Sequence, residues 1–111
     1  MSLNLDAIEL GRALIQCESV TPADGGALGV LKGALERIGF TCQLKIFAED
    51  GTPDITNLYA RIGNGAPHFC FAGHTDTVPV GDPATWSADP FGAEIKDGML
   101  YGRGAADMKA A

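Results

Sequence analysis

The chain has 111 residues, 46% of them hydrophobic, with a formal charge of −6 and only 8 basic side chains, enough for one small domain with a core. An acidic balance without Lys/Arg clusters argues against a nucleic-acid partner. No run approaches the roughly 18 uncharged apolar residues of a membrane span and no basic-then-apolar leader opens the chain, so no membrane partner and a cytoplasmic location are expected.

Leu5, Ile8, Leu10, Leu14 and Ile15 recur at helical spacing, which predicts an amphipathic helix from Leu5 to about Cys17, started by Asn4 or Asp6. Pro22 and two glycines interrupt the pattern. A second helix is expected from about Gly26 to Ile38, with Leu28, Leu31, Leu35 and Ile38 on one face and Gly39 as its stop. From Phe40 to Phe47 the period changes to two, the pattern of a half-buried strand. Thr52-Pro53-Asp54 reads as a loop, residues 57–62 as a second strand and Asn64-Gly65 as a turn. His68 to Ala72, apolar on both faces, reads as a third and central strand. Residues 79–90 are loop-like. The strongest local signal is Ala93 to Tyr101, two short strands joined through Asp97-Gly98 by a type I′ turn. Two helices and several strands make the chain α/β, and no repeat or composition shift divides it.

Cys17, Cys42 and Cys70 are odd in number, widely spaced and free of a C-x-x-C pair. They are expected to be small buried hydrophobes in a reducing compartment, without a disulfide.

His74 and Asp76 lie two apart, so on extended backbone both side chains reach one side. A neutral imidazole can bind a metal through one nitrogen while the other donates to a carboxylate or carbonyl that fixes the tautomer. Gly73 would let the backbone turn where the third strand ends. Asp107 precedes good helix formers, so a helix N-cap explains it as readily as a metal ligand; its two oxygens could also bridge two cations. Gly102-x-Gly104-x-x-Asp107 is not a dinucleotide fingerprint, because a carboxylate stands where the third glycine should be and would repel a pyrophosphate. His68 reads as a cap or edge residue. Trp86, Pro90 and Phe91 are expected to pack the loop against the hairpin, and Arg103 and Lys109 read as surface or structural charges, with anion binding open for Arg103.

Taken in order, GHTDTVPVGD, W-x-x-D-P-F and I-K-D-G-x-L-Y-G-R-G-A-A-D-M-K resemble the dinuclear zinc deacylase and exopeptidase family that includes acetylornithine deacetylase, aminoacylase and glutamate carboxypeptidase. The resemblance is dense from Phe71 to Lys109 and weak before Asn57. It implies the N-terminal part of a zinc-exopeptidase-type catalytic domain, two helices packed on a mixed sheet with a β-hairpin. It further implies that His74 ligates one zinc, that Asp76 is the carboxylate behind it with a catalytic role, and that Asp107 bridges two Zn²⁺ or Co²⁺ ions, with a cis peptide after it. The implied substrate is a small N-acyl amino acid. A glutamate pair supplying the general base, a further acidic ligand, a second histidine and a lid domain that mediates homodimerisation are expected beyond residue 111, so residues 1–111 alone are expected to be inactive. The competing reading is a non-catalytic α/β binding module in which His74 and Asp107 are structural.

Overall fold

Asp6 opens the first helix. In the computed structural model, which describes residues 5–111, its carboxylate accepts hydrogen bonds from the amides of Ile8 and Glu9, at 2.9 and 3.1 Å, and α1 runs over Ala7–Ile15. This is an ordinary N-cap, which satisfies two amides that the helix itself leaves without partners. The alternative start at Asn4 lies outside the described residues.

The second helix, α2, spans Ala27–Arg37. Its N-cap is Gly26, at φ +87°, and has no side chain to offer; Asp24 takes over by accepting from the amides of Gly26 and Leu28 at 3.1 and 3.2 Å. At the other end Gly39, at φ +101°, closes the helix as expected. Its amide donates to the Glu36 carbonyl and the amide of Phe40 to that of Leu35, each at 3.1 Å, the paired bonds of a Schellman stop.

Strands β1 (Thr41–Phe47) and β2 (Ile55–Arg61) pair antiparallel, from Thr41 opposite Arg61 to Phe47 opposite Ile55. The face carrying Cys42, Leu44 and Ile46 lies opposite Ala60, Leu58 and Thr56, so the period-two reading holds. The expected half-burial does not. Cys42, whose Sγ lies 3.9 Å from the Lys32 carbonyl of α2, is half-buried, but Leu44 and Ile46 are exposed. A helix of 11 residues packs on both strands, and on that face Thr56, Leu58 and Ala60 of β2 are half-buried where Leu44 and Ile46 of β1 are not.

His68–Ala72 is not a strand. It runs as extended chain without a ladder partner among the described residues, with Phe69 78% and Phe71 92% exposed and their rings meeting edge to face at 4.9 Å. A strand needs a neighbour to take its backbone hydrogen bonds, and among the described residues the β1–β2 ladder holds those two strands only, with this segment paired to neither edge. Cys70 is consequently exposed, against expectation, while Cys17 and Cys42 are half-buried; all three are free thiols.

The hairpin forms where the turn chemistry places it. β3 (Ile95–Lys96) pairs with β4 (Met99–Leu100), and Asp97 and Gly98 at φ +52° and +76° make the type I′ turn. Both ladders are antiparallel; outside them, Val20 and Thr77 form an isolated parallel bridge. The core lies between the helices and the loop before β3, where Leu14, Ile15, Ala27, Leu28, Ala34 and Ala93 are buried. Arg12 fastens α1 to that loop through a 3.0 Å bond from Nε to the Ala93 carbonyl.

Candidate metal centre

Two chain segments converge on the carboxyl end of α1. The first carries His74 and Asp76. Its backbone is held by the amide of Thr77 donating to the Ser19 carbonyl (2.9 Å), the amide of Thr21 donating to the Thr77 carbonyl (3.0 Å), and the Ser19 hydroxyl donating to the Thr75 carbonyl (2.6 Å). Ser19 is fully buried, so a short hydroxyl is spent on placing backbone.

The second segment, Ala105–Lys109, is a short distorted helical turn that contains a cis Asp107–Met108 bond. The N-cap position of this turn is Gly104 and Asp107 lies inside it, so Asp107 does not cap a helix. The two glycines before it are there for space. A β-carbon on Gly102 would collide with Ile15 Cγ2, and one on Gly104, at φ +83°, would lie 2.6 Å from Thr77 Cγ2. The glycine spacing that superficially suggests a nucleotide loop is thus a packing requirement against α1 and against the His74 segment.

Between these segments, His74 Nε2 lies 3.0 Å from Asp107 Oδ1, and His74 Nδ1 lies 3.1 Å from the Asp76 carbonyl oxygen and 3.2 Å from Asp76 Oδ1. The imidazole is thereby held at both nitrogens. A proton on Nδ1 has two oxygen acceptors on Asp76, which leaves a lone pair on Nε2 facing a carboxylate oxygen. Two lone pairs at this distance repel unless a cation stands between them, either a proton or a metal ion. The bond to the Asp76 carbonyl is the main reason that the His74 pKa lies above its ordinary value; partial desolvation opposes the rise, and the Asp107 and Asp76 carboxylates add to it. The side chains are accessible to a ligand, with His74 47% and Asp107 87% exposed.

An imidazole nitrogen and a carboxylate oxygen are ordinary donors for Zn²⁺ or Co²⁺. Ligands on one tetrahedral zinc lie about 3.4 Å apart, so a few tenths of an ångström of opening would admit an ion between Nε2 and Oδ1. Asp76 engages the opposite nitrogen, and no group of three or more His, Cys, Asp or Glu side chains that could hold a metal occurs among the described residues. The donor set fits a metal and accounts for part of a coordination shell.

Gly73 has a different task from the tight turn expected of it. A β-carbon there would lie 3.2 Å from Met108 Cε, and the His74 amide points at Met108 Sδ at 3.4 Å, so the missing side chain makes room for the residue after Asp107. Lys109, grouped with Arg103 as a surface or structural charge, is structural: it is 4% exposed, its Nζ donates to the carbonyls of Leu14 (2.8 Å) and Cys17 (2.9 Å), and burial lowers its pKa. Trp86 donates to the Val80 carbonyl at 3.0 Å and carries the Arg103 guanidinium 5.1 Å above its ring. His68 sits on the exposed 68–72 segment. Ser19, Thr77 and Met108 escape a reading of the sequence because a hydroxyl, a methyl group and a thioether that place backbone leave no motif.

Residues 70–111 match Peptidase family M20/M25/M40. Across nearly the whole chain the sequence is also similar to proteins named succinyl-diaminopimelate desuccinylase: 62% identical to that of Parvibaculum lavamentivorans over 96% of this chain and 27% of the relative, 62% identical to that of Rhodospirillum centenum over 94% and 27%, and 61% identical to that of Bradyrhizobium diazoefficiens over 94% and 27%. The chain therefore spans about a quarter of the length of the relatives it matches.

Proposed function

We propose, on the premise that residues 70–111 carry the Peptidase family M20/M25/M40 sequence, that this chain belongs to a hydrolase that cleaves the amide of N-succinyl-LL-2,6-diaminopimelate to succinate and LL-2,6-diaminopimelate. The observation that carries the reading is the 3.0 Å approach of His74 Nε2 to Asp107 Oδ1, two electron-pair donors presented to solvent by separate segments. The names of the relatives support the choice of substrate.

His74, through Nε2, and Asp107, through its carboxylate, would be the residues of this stretch that hold the metal. Asp76 holds the proton on Nδ1, which fixes the tautomer and keeps Nε2 aimed at the site, as partners behind metal-bound histidines do. A pair of Zn²⁺ or Co²⁺ ions held there supplies Lewis-acid activation of the amide carbonyl and of water. Two donors do not complete a four-coordinate shell, so residues 1–111 alone are proposed not to turn over substrate, the general base and remaining ligands coming from outside this stretch. The full-length enzyme is read as a cytoplasmic homodimer in diaminopimelate and lysine biosynthesis.

The test is succinate release from N-succinyl-LL-2,6-diaminopimelate by the full-length protein, with N-acetylornithine as the competing substrate. Chelation should abolish turnover and Zn²⁺ or Co²⁺ restore it. His74→Ala and Asp107→Ala should each lower turnover by more than about a hundredfold, and Asp76→Asn should weaken metal binding about 10–100-fold. Wild-type turnover in His74→Ala would refute the proposal.

A further inference from the structure

We infer that Lys109 is a positioning residue for the His74–Asp107 pair, acting through its two hydrogen bonds to the carboxyl end of α1. The inference rests on the reading of that pair as a metal centre and extends it to a residue that touches neither metal nor substrate.

Both donor-bearing segments are referenced to one short stretch, Leu14 to Thr21. The His74 segment is fixed to it by Ser19 and Thr21. The Asp107 segment is fixed to it by the Lys109 ammonium, which donates to the carbonyls of Leu14 and Cys17. Leu14 lies in the last turn of α1, where the helix presents partial negative charge; its carbonyl accepts from the Cys17 amide at 3.1 Å as well as from Lys109. Lys109 forms no salt bridge among the described residues; its ammonium hydrogen-bonds to two backbone oxygens, and the Asp24 carboxylate acts on it only at a distance. The Lys109 amide also donates to the Gly104 carbonyl at 2.8 Å and closes the turn that holds Asp107. Asp107 is two residues away, so a shift of the Lys109 anchor moves it directly.

Apolar packing could hold this turn in the core, but it is non-directional and would let it slide. Two hydrogen bonds from one nitrogen set both depth and direction. Releasing them should leave a folded protein whose Asp107 no longer stands at a fixed distance from His74.

The test compares Lys109→Met and Lys109→Gln in the full-length protein, by Co²⁺ titration and the visible absorption of the bound ion. Ala34→Gly, in a buried position of α2, serves as a destabilising change remote from the site. The expected result is Co²⁺ affinity about 10–100-fold weaker and an altered spectrum in folded Lys109→Met, a smaller loss in Lys109→Gln, which keeps a donor, and no change of either in Ala34→Gly. Wild-type affinity and spectrum in either folded lysine variant would overturn the inference, as would failure of both to fold, since Lys109 would then determine the fold rather than the site. Asp107→Ala separates the two levels: if it leaves Co²⁺ binding intact the metal-centre reading itself fails, whereas if it abolishes binding while Lys109→Met does not weaken it, only the role of Lys109 is lost.

Discussion

Gly104→Ala probes the seam between the two donor-bearing segments. The backbone at Gly104 has φ +83° and ψ 3°, a left-handed conformation that costs a residue with a β-carbon about 1–2 kcal/mol. The added carbon would lie 2.6 Å from Thr77 Cγ2 and 3.3 Å from Lys109 Cδ. Carbon atoms rest at about 3.5–4.0 Å, so something must retreat by about 1 Å. Thr77 is 5% exposed and has little room, and overpacking of this kind costs about 1–3 kcal/mol. The expected destabilisation is about 2–5 kcal/mol, read as a lower urea-unfolding midpoint of the full-length protein. Because the retreat separates the turn before Asp107 from the segment after His74, Co²⁺ affinity should fall as well. Thr77→Ser removes the opposing methyl group and should recover the contact part but not the φ part, giving a coupling of about 1–2 kcal/mol in a double-mutant cycle. A loss below about 0.5 kcal/mol in Gly104→Ala, or no recovery with Thr77→Ser, would refute the reasoning, since surface-like tolerance is incompatible with a closed seam.

Asp6→Ala removes both side-chain bonds to the first turn of α1 and should cost about 1 kcal/mol, measured by thermal unfolding. A neutral result would mean that α1 is held by packing alone. Ile15→Ala empties a fully buried position and should cost about 2–5 kcal/mol, measured by urea unfolding; a loss under about 1 kcal/mol would show that the site collapses onto Gly102.

The parts of the fold legible in the sequence were those decided locally. Helix periodicity, the Gly39 stop and the Asp97-Gly98 turn depend on a few neighbouring residues, and each stands within a residue or two of its expected place. The 68–72 segment was misjudged because an apolar run specifies burial only when another strand is beside it, and that partner is not a local property. Lys109 illustrates the same limit for the site. Its charge reads as surface or structural, and only the two carbonyls more than ninety residues earlier that prove to be its partners decide between the two. The approach of His74 to Asp107 is likewise tertiary, and the sequence pointed to it through a family resemblance across several ordered motifs rather than through either residue alone.

The open run from His68 to Ala72 bears on how this stretch of chain must be handled. Two exposed phenylalanines flanking a thiol, on backbone with no ladder partner among the described residues, offer a template on which a like segment from another molecule can dock in register. Register pairing of identical strands would bring one Cys70 against another, so air oxidation would convert a reversible association into covalent dimers. A reducing buffer and low concentration during preparation follow directly from that exposed thiol.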